Sequence, residues 1–160
     1  MRQSAPRDGH YTLRGSEGAR IFAQTNDDVA DMLRKLVVEM VPADQDLLID
    51  AYCGAGFFAK ALLEKFERVI GIDWDRFAIE EARKDATSKE NYVAGNVDEE
   101  LERFHSVLEN RRSLTVIVDP PATGLTSVAR QAIIDLAPTI LIYVSCNPAT
   151  LARDLKDLTQ

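Results

Sequence analysis

Histidine, cysteine and long apolar runs are all scarce in this chain of 160 residues. The two cysteines, Cys53 and Cys146, stand far apart and form none of the close pairs that bind zinc or staple a small secreted fold. Thiols used this sparingly fit a reduced, cytoplasmic protein. The two histidines, His10 and His105, are isolated and read as surface residues. No run approaches the ~18 apolar residues of a membrane helix, so no membrane partner is expected. The opening MRQSAPRDGHYTLRGSEGAR lacks the apolar core of a signal peptide. Positive charge is short as well. A net charge of −7 argues against a surface that binds nucleic acid everywhere, because phosphate contacts need clustered Lys and Arg. A local basic rim is compatible with it, since Arg2, Arg7, Arg14 and Arg20 outnumber Asp8 and Glu17 near the start. The plainer reading of that stretch is a solvated, partly flexible leader.

What the chain does have is an alternation of apolar runs and helix-like segments. Asn26 is placed to cap a helix through about Met40, with Val29, Met32, Leu33, Leu36 and Val37 on one face, and Pro42 closes it. Five strands are predicted at 47–53, 68–73, 91–95, 114–121 and 139–146. Helices follow at about 57–66, 75–86, 98–110, 127–136 and 149–158. Strands that are apolar throughout and flanked by helices make a parallel sheet covered on both faces. Right-handed crossovers then give one doubly wound α/β domain, with strand order 3-2-1-4-5. In such sheets a ligand binds beyond the carboxyl ends of the strands, at the switch point between the first and fourth. Four of the five carboxyl ends carry polar or special residues: Asp50-Ala-Tyr-Cys-Gly-Ala-Gly56, Gly71-Ile-Asp73, Asp119-Pro-Pro121 and Ser145-Cys-Asn-Pro148.

Gly54 and Gly56 let the backbone turn sharply and approach a ligand. The run GAGFFA fits a relaxed dinucleotide fingerprint, with Asp73 nearly twenty residues after the first glycine. An acid there grips ribose hydroxyls of either a nicotinamide dinucleotide or S-adenosylmethionine. Asp50 tips the balance, because a carboxylate ahead of the glycines opposes a pyrophosphate but favours the cationic methionine end of S-adenosylmethionine. The plainer roles are a buried carboxylate capped by backbone N–H groups for Asp50, a helix N-cap for Asp73, and core packing for Tyr52 and Phe57. Asp119 precedes two prolines that remove two N–H donors and stiffen the strand exit at the pocket. Cys146 lies in register with that pocket, and the helix starting beside it favours thiolate, the form that attacks. Cys53, inside the glycine turn, reads as a packing residue.

The words QTN at 24–26, DAYCGAGFF at 50–58, VIGID at 69–73, Asn96, VDPPATGL at 118–125 and YVSCNPATLARDL at 143–155 resemble the catalytic domain of the RNA uridine-5 methyltransferases. These class I enzymes make 5-methyluridine in transfer and ribosomal RNA. The resemblance spans about residues 22 to 158. It implies a methyltransferase domain over 22–160 after a leader at 1–21, with S-adenosylmethionine as cofactor and tRNA or rRNA as substrate. Gln24, Tyr52, Asp73 and Asn96 fall where the family contacts the cofactor, Asp119 where it borders cofactor and base, and Cys146 at the nucleophile. Three departures stand out. Phe57 sits where asparagine is usual, and Ala122 where arginine is usual. The family's further strands, with a glutamate that takes the final proton, have no counterpart before Gln160. A C-terminal truncation is therefore expected, leaving the fifth strand as an apolar edge available for pairing. A cofactor-binding module without full turnover, a nitrogen methylator and a nicotinamide oxidoreductase are the competing readings. Ala122 counts against the nitrogen methylator, which usually has an aromatic residue after the prolines.

Overall fold

Runs such as Leu47-Leu48-Ile49 and Val116-Ile117-Val118 leave no face for water, so they can settle only at the centre of a covered sheet. The computed structural model describes residues 13–14, 20–21, 27–107 and 113–159. Near the start, β1 (Leu13–Arg14) and β2 (Arg20–Ile21) form a short antiparallel ladder. Helix α1 (Asp27–Met40) leads to β3 (Gln45–Ala51), α2 (Phe57–Leu62), β4 (Phe66–Asp73) and α3 (Arg76–Arg83). Then come β5 (Glu90–Ala94), α4 (Val97–Val107), β6 (Leu114–Val118), α5 (Ser127–Leu136), β7 (Ile140–Tyr143) and α6 (Pro148–Leu158).

The main sheet runs β5-β4-β3-β6-β7 and is parallel throughout, which is the 3-2-1-4-5 order expected from the sequence. Side chains alternate along each strand. Leu47, Ile49 and Ala51 join a core with Val97, Leu101, Ala129 and Ile133 from α4 and α5. Leu48, Val69 and Ile117 join a second core with Val37, Phe58, Leu62, Ile79 and Ala82 from α1, α2 and α3. The two layers confirm a doubly wound α/β fold. Among the described residues no helix is long and apolar enough to cross a membrane.

The structure departs from the sequence reading at the element edges. β3 stops at Ala51, because Tyr52 turns into the left-handed region at φ 65°. β6 stops at Val118, before the prolines that cannot donate to a ladder. β7 covers four residues and ends at Tyr143, short of the thiol it was expected to carry. Ser145 ends it locally: its hydroxyl accepts from the Asn147 N–H at 3.0 Å and starts the turn into α6. β7 is an edge strand, as expected.

The apolar face assigned to α1 is the larger correction. Val37 is buried and Leu33 half-buried, but Val29, Met32 and Leu36 are more than half exposed. Ala30, which the predicted face omitted, is buried together with Val37. Lys65 satisfies the last turn of α1 by donating to the Val38 carbonyl at 2.6 Å and to that of Val41. Asn26, the expected cap, lies outside the described residues.

Gly71 on β4 pairs with Asp50 on β3 and shows how tightly the second core closes. A Cβ there would meet Cδ1 of the Tyr92 ring at 2.4 Å and the Cys53 Sγ at 2.9 Å. Both neighbours are buried and cannot retreat. Gly71→Ala is therefore expected to lower stability by about 1–3 kcal/mol, read as a lower denaturant midpoint with an unchanged slope.

Candidate active site at the carboxyl ends of the strands

Because all strands of the main sheet run the same way, their carboxyl ends share one rim, and the chain places its special residues there. After β3, Tyr52, Gly54 and Gly56 all take positive φ, at 65°, 54° and 87°. The bend is tied to the next strand: the Cys53 N–H donates to the Ile72 carbonyl at 3.0 Å. The Gly54 N–H donates to Asp73 Oδ2 at 2.8 Å, and the Asp75 N–H to Asp73 Oδ1 at 2.9 Å. Each carboxylate oxygen of Asp73 keeps a lone pair for a hydroxyl outside the turn. Asp73 is not the helix cap. Asp75 has that role, accepting from Phe77 N and Ala78 N at the start of α3.

Asp50 is fully buried beneath the glycine turn. Its Oδ2 accepts from the Ala59 N–H at 2.8 Å, replacing the side-chain cap that Gly56 cannot give α2. Its Oδ1 has no hydrogen-bond partner among the described residues. Burial, with smaller contributions from the Asp119 and Asp73 charges, outweighs the Ala59 bond and pushes the Asp50 pKa up to about 7. Asp119 follows β6, half-buried, with its pKa raised to about 6 by desolvation. Tyr52 is half-buried between them and the first core, and burial with the Asp98, Asp154 and Asp73 charges raises its pKa to about 12. Asn96 is exposed after β5 and caps α4, its Oδ1 accepting from the Asp98 N–H at 2.9 Å.

Cys146 is exposed, three residues beyond β7 on this same rim. Asn147 caps α6 by accepting from the Ala149 N–H, and its Nδ2 donates to the Ala122 carbonyl at 3.0 Å. Helix α6 and the Asp119 loop are thereby joined beside the thiol. Arg153 does not turn back toward Cys146. Its guanidinium donates to the Thr123 and Leu125 carbonyls and to Asp154. Cys53 is buried, as expected of a packing residue, and burial pushes its thiol pKa well up.

The rim therefore gathers Asp50, Tyr52, Gly54, Gly56, Asp73, Asn96, Asp119 and Cys146. The Phe57 ring, at the start of α2, packs edge-on against Phe58 at 4.8 Å and lies under the Arg34 guanidinium of α1 at 5.0 Å. Gln24 lies outside the described residues. The sequence reading missed Asp98, whose carboxylate accepts from the Thr126 hydroxyl at 2.8 Å and ties α4 to the cap of α5. It also left Asp154 without a role. A groove of about 610 Å³ between α5 and α6, lined by Arg130, Ile133, Leu141 and Leu158 among others, contains none of the strand-end residues.

Chemically, the rim offers acids for hydroxyls or a cation, an open backbone turn and a thiol. A model of the tRNA (uracil-5-)-methyltransferase family matches residues 5–160. A protein of Streptococcus pneumoniae named as an uncharacterized RNA methyltransferase is 34% identical over 99% of this chain and 36% of its own length. A similarly named protein of Streptococcus agalactiae is 37% identical over 88% of this chain and 32% of its own. The crystal structure of Pyrococcus abyssi tRNA (uracil-54, C5)-methyltransferase in complex with S-adenosyl-L-homocysteine superposes with a TM-score of 0.68 at 34% identity, covering 86% of this chain and 33% of that one. The chain thus spans about a third of the length of these relatives. By sequence and by fold, the chain belongs to the tRNA (uracil-5-)-methyltransferase family.

Proposed function

We propose that this chain carries out methyl transfer from S-adenosylmethionine to C5 of a uridine in tRNA or rRNA, through a covalent bond between Cys146 and C6 of the base. The observation that carries this reading is an exposed thiol on the rim where a buried acid, a glycine turn and a second acid converge. The named substrate of the Pyrococcus abyssi relative, uracil-54 of tRNA, supports a uridine target. Two free cysteines suit a cytoplasmic setting.

The residues present fit the cofactor. The unpartnered Oδ1 of Asp50 is a buried acceptor awaiting a donor, and an ammonium group supplies one. Asp73 is held by two backbone N–H groups with lone pairs left for ribose hydroxyls. A Cβ built on Gly54 meets nothing within 4 Å, so open space lies above the turn. Tyr52 and Asn96 would complete the binding edge. The bound cofactor supplies an electrophilic methyl group.

Uracil C5 is too weak a nucleophile to take that methyl unaided. The Cys146 thiolate adds to C6, and the C5–C6 π pair moves into an enolate that makes C5 nucleophilic. C5 bonds the methyl as the sulfonium carbon–sulfur bond breaks. A base then removes the C5 proton, the S–C6 bond breaks and the double bond returns. Asp119, bordering cofactor and base, accepts hydrogen bonds from either. The target base must be unpaired or flipped out to reach the thiol.

An RNA containing 5-fluorouridine tests this reading, because fluorine at C5 cannot leave as a proton and the adduct persists. With S-adenosylmethionine, a denaturation-resistant protein–RNA product is expected, and Cys146→Ala is expected to abolish it. Cofactor affinity without any adduct would make the chain a binding module. An undiminished methylated product from Cys146→Ala would refute the covalent route.

Asp50 gives a pH signature. Its folded pKa lies above the ordinary 3.8, near 7, so ionisation opposes folding, and the stability present below pH 3.8 is lost as pH rises toward 7. Asp50→Asn carries no such burden. Its stability relative to the native chain is expected to improve between about pH 4 and pH 7, by up to ~4 kcal/mol if the whole shift is realised. Conversely, affinity of the native chain for S-adenosylmethionine should rise from pH 6 to pH 8 with proton release, and calorimetry on Asp50→Asn should show weak, pH-independent binding.

A further inference from the structure

The face that α6 turns toward the protein is built around an acid. Asp154 is the one fully buried residue of the helix, while Leu151 and Leu158 are half-buried and Leu155 is 37% exposed. Its carboxylate is saturated. Oδ2 accepts from the Leu125 N–H at 2.7 Å and from the Tyr143 hydroxyl at 2.7 Å. Oδ1 accepts from Arg130 Nη1 at 3.0 Å and from Arg153 Nε and Nη2 at 2.9 and 2.7 Å. Desolvation works against the charge, but the bonds from Tyr143, Leu125 and Arg153 outweigh it and hold the carboxyl below its ordinary pKa.

Those partners come from different parts of the chain. Leu125 belongs to the loop that begins at Asp119-Pro-Pro, Tyr143 ends β7, and Arg130 lies on α5. The loop between β6 and α5 closes one turn of its own, with the Gly124 N–H donating to the Pro121 carbonyl at 2.8 Å, and its middle lies along α6. The Ala122 carbonyl accepts from Asn147 Nδ2 and from Thr150 Oγ1, and the Thr123 and Leu125 carbonyls accept from Arg153. Gly124 takes φ 74° where a Cβ would meet Asp154 Oδ2 at 2.5 Å and Arg153 Nη2 at 2.6 Å. The loop passes as close to the carboxylate as a glycine allows.

We infer that Asp154 is a positioning residue: it clamps the Asp119 loop onto α6 and so sets the distance and orientation between Asp119 and Cys146. The inference rests on the reading of Cys146 as nucleophile. The two reacting side chains stand at the near ends of two segments, and Asp154 joins those segments about two helical turns away. Stability alone does not call for an acid here, since buried ion networks are often matched or bettered by apolar residues of similar volume. A leucine at 154 would continue the apolar pattern of Leu151, Leu155 and Leu158. It could not receive the Leu125 N–H, and the loop would lose its register. An error near 1 Å in such a pair is enough to slow a reaction by about a hundredfold.

The test compares the native chain with Asp154→Asn and with Thr150→Val, which removes the hydroxyl's bonds to the Ala122 and Asn147 carbonyls and leaves the Asp154 network in place. Hydrogen exchange of residues 121–126, affinity for S-adenosylhomocysteine, alkylation of Cys146 by iodoacetamide and the rate of capture of 5-fluorouridine RNA are measured on each. In Asp154→Asn, loop exchange is expected to rise about tenfold and capture to slow about ten- to a hundredfold. Cofactor affinity and alkylation should stay within about twofold, because neither the glycine turn nor the exposed thiol is touched. Thr150→Val should move the same readings in the same direction by less, and it decides the matter if Asp154→Asn fails to fold. Unchanged loop exchange overturns the clamp. Cofactor affinity and capture falling together with melting temperature reduce Asp154 to a structural residue. If the native chain captures no RNA, the proposed function fails, and loop exchange alone still decides whether the clamp exists.

Discussion

The parallel alignment of β3, β4, β6 and β7 is the constraint on which the rest depends, because it delivers the carboxyl ends of four strands to one rim. Along the middle of those strands Leu47, Leu48, Ile49, Val69, Ile70, Val116 and Ile117 are the buried aliphatic residues that a covered sheet prefers. At the rim the preference is reversed. Asp50 is buried with one oxygen unpartnered, at a cost of about 1–3 kcal/mol for an unsatisfied polar atom. Tyr52 holds a left-handed backbone that costs a residue with a side chain about 1–3 kcal/mol. Asp119 sits close enough to Asp50 to make ionisation of that residue harder. A buried acid with an unsatisfied oxygen, a left-handed residue with a side chain and a second acid gathered at one rim are the kind of local exceptions expected where a fold gives up stability for a site.

The site is held by backbone as much as by side chains. Asp73 is aimed by the N–H groups of Gly54 and Asp75, and Asp50 caps α2 through Ala59. Two of the three departures from the family pattern become easier to place in that light. Ala122, where arginine is usual, contributes its carbonyl to Asn147 and Thr150, and the exchange of side chain leaves that tie intact. Phe57, where asparagine is usual, is engaged by Arg34 and Phe58, so α1 gains an anchor where a polar contact is lost.

The five strands of the main sheet, their order and the rim were legible in the sequence because each rests on runs of several residues that admit one arrangement, whereas the two-residue strands β1 and β2 are too short to leave such a run. Leu47 to Ile49 has no polar face to offer water, and Asp119-Pro-Pro cannot continue a ladder. Single-residue roles were harder. Asp73 and Asp75 are both acids before the same helix, and only the hydrogen bonds separate the ribose candidate from the cap. The inward face of α1 includes Ala30, a weak hydrophobic signal beside Val29 and Met32, which are left exposed. Ser145 ends β7 early through one side-chain bond that no periodicity reveals. Asp154 was visible as part of a recognisable word, but its partners are spread from Leu125 to Arg153 and meet only in the folded chain.

Diffraction from crystals of this chain soaked with S-adenosylhomocysteine tests the central claim most directly. The account predicts the ligand across the Gly54–Gly56 bend, its ribose hydroxyls on Asp73, its ammonium end toward Asp50 and its sulfur facing the side of the cleft that holds Cys146. Ligand seated instead in the α5–α6 groove, or bound with Asp50 and Asp73 untouched, would contradict it.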